Sequence, residues 1–171
     1  MSNMDIASYT RQGKGFFACN QVAKATTALS TTYTGLVVYN PWGSGKKLIL
    51  YYANWAFTTL PTGVGGVFLS TGNTPSVAAT PAGTADVIWA TDGSGVSTIS
   101  VARVFTIATL PIVNVYVAPL AMCSTGTTVA MSMPLFPEGG FVVSPGNYAC
   151  VAHFTTIATG LASFAWVEVP V

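Results

Sequence analysis

Charge is what this chain has least of. Lys, Arg, Asp and Glu together make 6% of its 171 residues, against about a quarter in an ordinary soluble domain. Six Lys+Arg stand against five Asp+Glu, for a net charge of +1. No basic stripe exists, so no nucleic-acid partner is expected. Histidine is almost missing too, with His153 alone. One imidazole builds a zinc site only with thiolate or carboxylate partners. Cys19, Cys123 and Cys150 are odd in number and far apart, with no C-x-x-C pair. They read as reduced, buried thiols of a protein made in a cytoplasm, so no metal and no cofactor are expected. Long apolar runs are also lacking: Gly, Pro or polar residues interrupt each one before about 18 residues. The dyad pattern and long polar loops of a transmembrane barrel are missing, so no membrane partner is expected. Met1-Ser-Asn-Met-Asp-Ile-Ala7 has neither a basic n-region nor an apolar h-region, and reads as no signal peptide. Nowhere is there a long, capped 3.6-period segment, which excludes a helical architecture.

What is abundant is apolar and strand-forming: 51% hydrophobic and 12% aromatic residues. Gly35–Phe57 holds two runs, Leu36–Tyr39 and Leu48–Phe57, around Asn40-Pro-Trp-Gly-Ser-Gly45. Asn-Pro and Ser-Gly are strong turn pairs, and the segment reads as a tightly linked hairpin needing a second sheet as cover. Residues 1–14 are polar, with Asp5, Arg11 and Lys14, and read as an N-terminal arm, disordered alone or draped on a neighbour. Residues 15–171 form a single domain. Further strands are expected at 15–22, 64–70, 86–90, 97–110, 113–117, 127–133, 141–143, 148–157 and 162–169, and a long Pro/Gly/Thr loop at 71–83. In the 97–110 segment, Arg103 falls on the apolar face while Val104 and Phe105 are adjacent, so a register change is expected near Arg103. Pro119 is expected to separate two strands. Near the end Phe164, Trp166 and Glu168 alternate with Ala165, Val167 and Val169. The fold class is all-β: an antiparallel two-sheet sandwich of jelly-roll type, with about 8–10 strands.

No catalytic residue is assigned. Gly43-Ser-Gly-Lys-Lys47 looks like a phosphate loop, but Lys47 stands where Ser or Thr must bind magnesium and a strand follows. It reads as a turn with two solvated lysines. Cys150 and His153 lie three apart, which on a strand points them to opposite faces. His153 reads as a satisfied structural histidine. A glycosidase needs two carboxylates at a set separation, so Asp86 with Glu168 and Asp92 with Glu138 are the pairs to check. Trp42 sits in a turn, either as an interface anchor or sugar-stacking platform, or as a lid folded over the sandwich end. Arg11, Lys14 and Trp42 are the interface candidates.

The stretches Tyr39-Asn-Pro-Trp-Gly-Ser-Gly-Lys-Lys-Leu-Ile-Leu50, Val142-Val-Ser-Pro-Gly-Asn147 and Phe164-Ala-Trp-Val-Glu-Val169 resemble small jelly-roll structural proteins of tailed bacteriophages. These are capsid cement (decoration) proteins or modules of tail fibres and spikes. The Pro-Gly turn and the closing Trp-x-Glu strand are also similar to tumour-necrosis-factor-like trimeric jelly rolls. The resemblance implies a non-enzymatic virion protein on the capsid surface, partnered by itself as a homotrimer and by the major capsid protein. The alternative is a receptor- or glycan-binding tail module, carried by Trp42 and the 71–83 loop. A hydrolase on the same scaffold is a third reading, carried by the carboxylates.

Overall fold

The computed structural model of the chain describes residues 6–59, 63–123, 130–137, 140–155 and 158–171. Among these residues are fourteen strands and one short helix, numbered along the chain. One sheet runs β12 (Phe141–Val143), β4 (Lys46–Thr59), β14 (Thr159–Pro170), β1 (Gly15–Cys19), β7 (Trp89–Ala90) and β8 (Gly95–Val96), with β2 (Lys24–Ala25) also paired to β14. The other runs β11 (Ala130–Ser132), β10 (Val115–Cys123), β5 (Gly65–Asn73), β13 (Asn147–Phe154), β3 (Thr32–Tyr39), β9 (Arg103–Thr109) and β6 (Ala82–Ala85). The two sheets pack face to face as a β-sandwich. Its central strands follow the jelly-roll order, β1-β14-β4-β12 against β3-β13-β5-β10, so chain neighbours repeatedly change sheets. The strand count exceeds the expected 8–10 because two- to four-residue strands extend the edges.

The inward residues of both sheets form the main core. Leu48, Leu50, Trp55, Phe164 and Trp166 meet Leu36, Val38, Leu69, Val104 and Val151. Each fully buried side chain of this size contributes about 1.5–3 kcal/mol. A second cluster lies on the far side of the second sheet, where Tyr33, Val37, Tyr39, Tyr148 and Cys150 pack under Leu110 and Ile112. The segment after β9 thus covers part of that outer face, which is why β3 and β13 are buried on both sides.

The expected hairpin at 36–57 is not a hairpin. β3 pairs with β13 and β9, while β4 pairs with β14 and β12. Asn40–Gly45 is instead a corner that carries the chain from one sheet to the other. Local turn chemistry is the same for both cases; what differs is the partner, which lies far along the chain, in β9, β12, β13 and β14. A second corner, Ser144–Gly146, crosses between β12 and β13. The two corners are bonded to each other through Asn40, which is fully buried. Its backbone N–H donates to Asn147 O (2.9 Å) and its carbonyl accepts from Gly146 N (2.8 Å). Its side-chain Nδ2 donates to Val143 O and to Lys46 O, both at 2.8 Å.

Other expectations shift in detail. Residues 97–102 are not strand, and β9 begins at Arg103. The reason is Glu168, whose Oε1 takes the Val101 N–H (2.9 Å) and the Ser100 hydroxyl (2.6 Å), bending this backbone away from a ladder. The register change foreseen near Arg103 lies a few residues further on, opposite Phe105–Ile107, where β3 slips between Thr34 and Val37. Pro119 does not separate strands. It sits inside β10 at a register shift, the position that tolerates a residue with no N–H to donate. The 71–83 loop is shorter than expected, because β5 runs to Asn73 and β6 starts at Ala82. Of the expected arm, residues 1–5 lie outside the described residues, and residues 6–11 form a helix, α1 (Ile6–Arg11), closed by Gly13 at φ +68°. The following backbone is tied to the first sheet, with the Glu168 N–H donating to Lys14 O (2.9 Å).

The corner clasp predicts a specific mutant order. Asn40→Ala leaves two carbonyls without their donor and is expected to cost roughly 2–4 kcal/mol. Asn40→Asp is expected to cost more than Asn40→Ala in urea unfolding at pH 7, because it turns a carboxylate oxygen onto carbonyl acceptors. Equal stability of Asn40→Asp and wild type would show that the amide is not the clasp.

Candidate functional site

Three regions carry the candidate residues: the corner end, the buried polar groups, and the two outer faces. At the corner end Trp42 is 44% exposed. Its indole Nε1 donates to Thr74 Oγ1 (2.6 Å), and Thr74 Oγ1 in turn donates to Gly146 O (2.8 Å). Its ring lies against Gly146, where φ is +83° and a Cβ would stand 2.5 Å from Trp42 Cε2. The structure therefore places Trp42 as a lid across three loops, with one ring edge left to solvent. Arg11 and Lys14 lie far from it in the chain, at and after α1. Arg11 is exposed, and Lys14 Nζ reaches Gln12 Oε1 (2.9 Å) and sits 5.6 Å from the Tyr9 ring centroid. The Lys14 contacts to Gln12 and Tyr9 and the Trp42 contacts to Thr74 and Gly146 are separate sets.

The titratable groups are tied into the fold. Glu168 is 1% exposed, and its Oε2 pairs with Lys46 Nζ at 2.8 Å while Oε1 takes Ser100 and Val101. Lys46 is thus no solvated turn lysine. Asp86 Oδ1 accepts the N–H of Val87 (2.8 Å) and borders a separate small cleft beside Lys24 and Thr106. Asp92 is in an exposed turn, where hydrogen bonds from Ser94 hold its carboxyl below the usual range. Glu138 lies outside the described residues. Among the described carboxylates, none shares a partner with another, and no group of three His, Cys, Asp or Glu gathers in metal-binding geometry. No helix of the structure is long and apolar enough to cross a membrane.

Cys150 and His153 do face opposite ways on β13. Cys150 is fully buried among Tyr33, Tyr39 and Tyr148, and accepts from Asn114 Nδ2 (3.4 Å). Burial pushes its thiol up to about 12, which makes it inert. His153 meets Thr26 on the other side, with Nδ1 3.0 Å from both Thr26 Oγ1 and Thr26 O. Burial holds the imidazole below its ordinary value of 6.5, against the opposing pull of the Thr26 carbonyl.

The outer faces are what sequence reasoning missed. On the second sheet Phe68, Tyr116 and Phe154 pack together, with ring centroids 5.1, 6.4 and 6.2 Å apart. Met122 lies over Gly66 beside Phe68, and Met131 is its cross-strand partner. Phe154, Met122 and Met131 are 56%, 40% and 59% exposed. The strands beneath, β5, β10, β11 and β13, contain no charged residue. On the first sheet a pocket of about 480 Å³ opens between β1, β4 and β14. A bulge makes it. Leu50 pairs with Trp166 and Tyr52 with Ala165, so Tyr51 is the extra residue. Leu48 and Leu50 point inward before it and Ala53 and Trp55 after it, which leaves Tyr51 and Tyr52 both on the outside. The sequence held this signal in the broken alternation of Leu-Ile-Leu-Tyr-Tyr-Ala-Asn-Trp.

No family model, curated protein or solved structure matches this chain.

Two measurements follow from the geometry. Gly146→Ala meets both the left-handed backbone and the Trp42 ring, and is expected to cost roughly 2 kcal/mol or more. In a Trp42→Ala background the same change should cost only the backbone part, about 1 kcal/mol, so a double-mutant cycle in urea reads the lid contact directly. For His153, the fold favours the neutral ring. Its contribution is present above about pH 6.5 and declines as pH falls below that value, because the unfolded chain then binds the proton first. Thermal midpoints should drop between pH 7 and 5.5 in wild type and drop less in His153→Gln; parallel curves would contradict this.

Proposed function

We propose that this chain is a non-enzymatic structural component of a virion. In this reading it is a capsid cement (decoration) protein that binds the assembled shell as a homotrimer. The observation that supports it best is the part of the second sheet's outer face built by β5, β10, β11 and β13, which carry no charged residue and on which Phe68, Tyr116, Met122, Met131 and Phe154 are contiguous. Aromatic residues and Met are enriched, and charges depleted, at the centre of protein interfaces. An apolar patch of this kind on a stable fold marks a contact with another protein. Symmetric copies around a three-fold would cover it, and a protein that binds only the assembled shell stabilises that shell by mass action. The stretches 39–50 and 142–147, which carry the resemblance to phage jelly-roll proteins, pack against each other at the corner end. The alternative, a glycan- or receptor-binding tail module, draws less support, since the Trp42 N–H is already donated to Thr74.

Light scattering on the purified protein is expected to give a trimer, and Phe154→Glu or Met131→Lys to shift it toward monomer while leaving the circular-dichroism spectrum unchanged. The protein should co-purify with particles and raise the temperature at which the shell comes apart. A stable monomer that is absent from purified particles would end this reading.

A further inference from the structure

We propose that the pocket on the outer face of the first sheet is a binding site for an uncharged, largely apolar small molecule. This does not rest on the assembly reading, which uses the opposite sheet.

The shape comes from a contrast in side-chain size. The floor is Ala165, Ser163 and Cys19, all small, from the outward positions of β14 and β1. The walls are Tyr51, Tyr52, Phe17 and Phe136. Tyr52 and Phe136 lean together with centroids 5.4 Å apart, and Phe17 is braced by stacking on Trp89 at 6.5 Å. A volume of about 480 Å³ lies within the range of small-molecule sites, roughly 300–1,000 Å³. No charged side chain lines it, so an ionic group entering it would lose hydration with no partner in return. That selects a neutral ligand. The aromatic walls select a flat or alkyl body that gains from ring contacts. The Thr91 hydroxyl, though Thr91 lines the pocket, is itself buried and packs toward Gly15, so it offers a guest no hydrogen bond. The pocket selects by shape and apolar contact.

The probe is N-phenyl-1-naphthylamine, which is neutral, has two ring bodies and one N–H, and brightens in apolar surroundings. The control is 8-anilino-1-naphthalenesulfonate, the same skeleton with an added sulfonate. Titration is expected to give saturable binding of the neutral probe at one per chain, and at least ten-fold weaker binding of the sulfonate. Ala165→Phe, which fills the floor, should weaken the neutral probe at least ten-fold. Cys19, at the pocket floor, is half-buried while Cys123 and Cys150 are buried. Saturating probe should therefore slow its alkylation by iodoacetamide in the wild-type protein. That measurement decides the matter if Ala165→Phe does not fold. Unsaturable binding, equal affinity in Ala165→Phe, or unchanged Cys19 alkylation would overturn the proposal. So would a stoichiometry that falls as protein concentration rises, since a second copy of the chain would then be the occupant.

Discussion

The structure depends on one buried amide. Asn40 stands where the chain leaves the second sheet for the first, and 103 residues later Val143 stands where it makes the return crossing. A jelly roll closes only if such crossings stay in register, because each strand on one side is the covalent neighbour of a strand on the other. Asn suits the task chemically. It offers two side-chain donors to two carbonyls while its own backbone N–H and C=O bond the opposite corner. Neither Asp nor Ser has two donors at that reach. Trp42 then seals the same end through Thr74 and Gly146, so the clasp is kept from water, where its hydrogen bonds would be weaker.

Asn40 is one case of a wider rule in this chain. With so few charges available, neutral amides and hydroxyls do the joining. Asn20 is 1% exposed; it donates to Val22 O and Gly160 O and accepts from Ala162 N, extending the ladder past the end of β1. Asn114 accepts from Ser30 N and donates to Cys150 Sγ, fixing the segment that covers the second cluster. Thr26 bonds both His153 and Ala158, linking the two sheets at the far end. In the Lys46–Glu168 ion pair the carboxylate is buried while the lysine is part-exposed, and Ser100 and Val101 supply the further donors that a buried carboxylate needs. Interior polar groups joined this way leave the surface free to be apolar.

Much of the fold is legible in the sequence, and the failures have one cause. Strand existence follows from local composition, and the inward set Phe164 and Trp166 is visible as simple alternation. Sheet membership is not local. Asn-Pro-Trp-Gly-Ser-Gly looks the same whether it closes a hairpin or turns a corner, and only β13 and β14, far along the chain, decide. The stretch before Arg103 shows a strand pattern that Glu168 overrides by capturing its donors, a contact spanning 67 residues. Helix α1 is too short to be stable alone and forms because Gly13 and the Lys14 carbonyl dock it on the sheet. For the candidate surfaces, Trp42 was visible as an oddity but its tether to Thr74 was not. The paired outward tyrosines were readable, since Leu48 and Leu50 share one parity and Ala53 and Trp55 the other. A parity break inside a long apolar strand is the mark of a bulge.

The two outer faces then differ for a physical reason. On the second sheet the outward aromatics and methionines come from four neighbouring strands, β11, β10, β5 and β13, so they make an extended surface suited to another extended surface. On the first sheet the bulge lifts Tyr51 and Tyr52 beside small floor residues, so the same apolar character becomes concave and suits a compact guest. A flat apolar face left in water favours association, since there is little charge to oppose contact. A concave one gains less from a flat partner, because the partner bridges the rim and leaves the floor unfilled, forfeiting the close contacts on which dispersion depends. One sandwich with almost no charge can therefore present two separable modes of recognition, and the break between them is the single extra residue in β4.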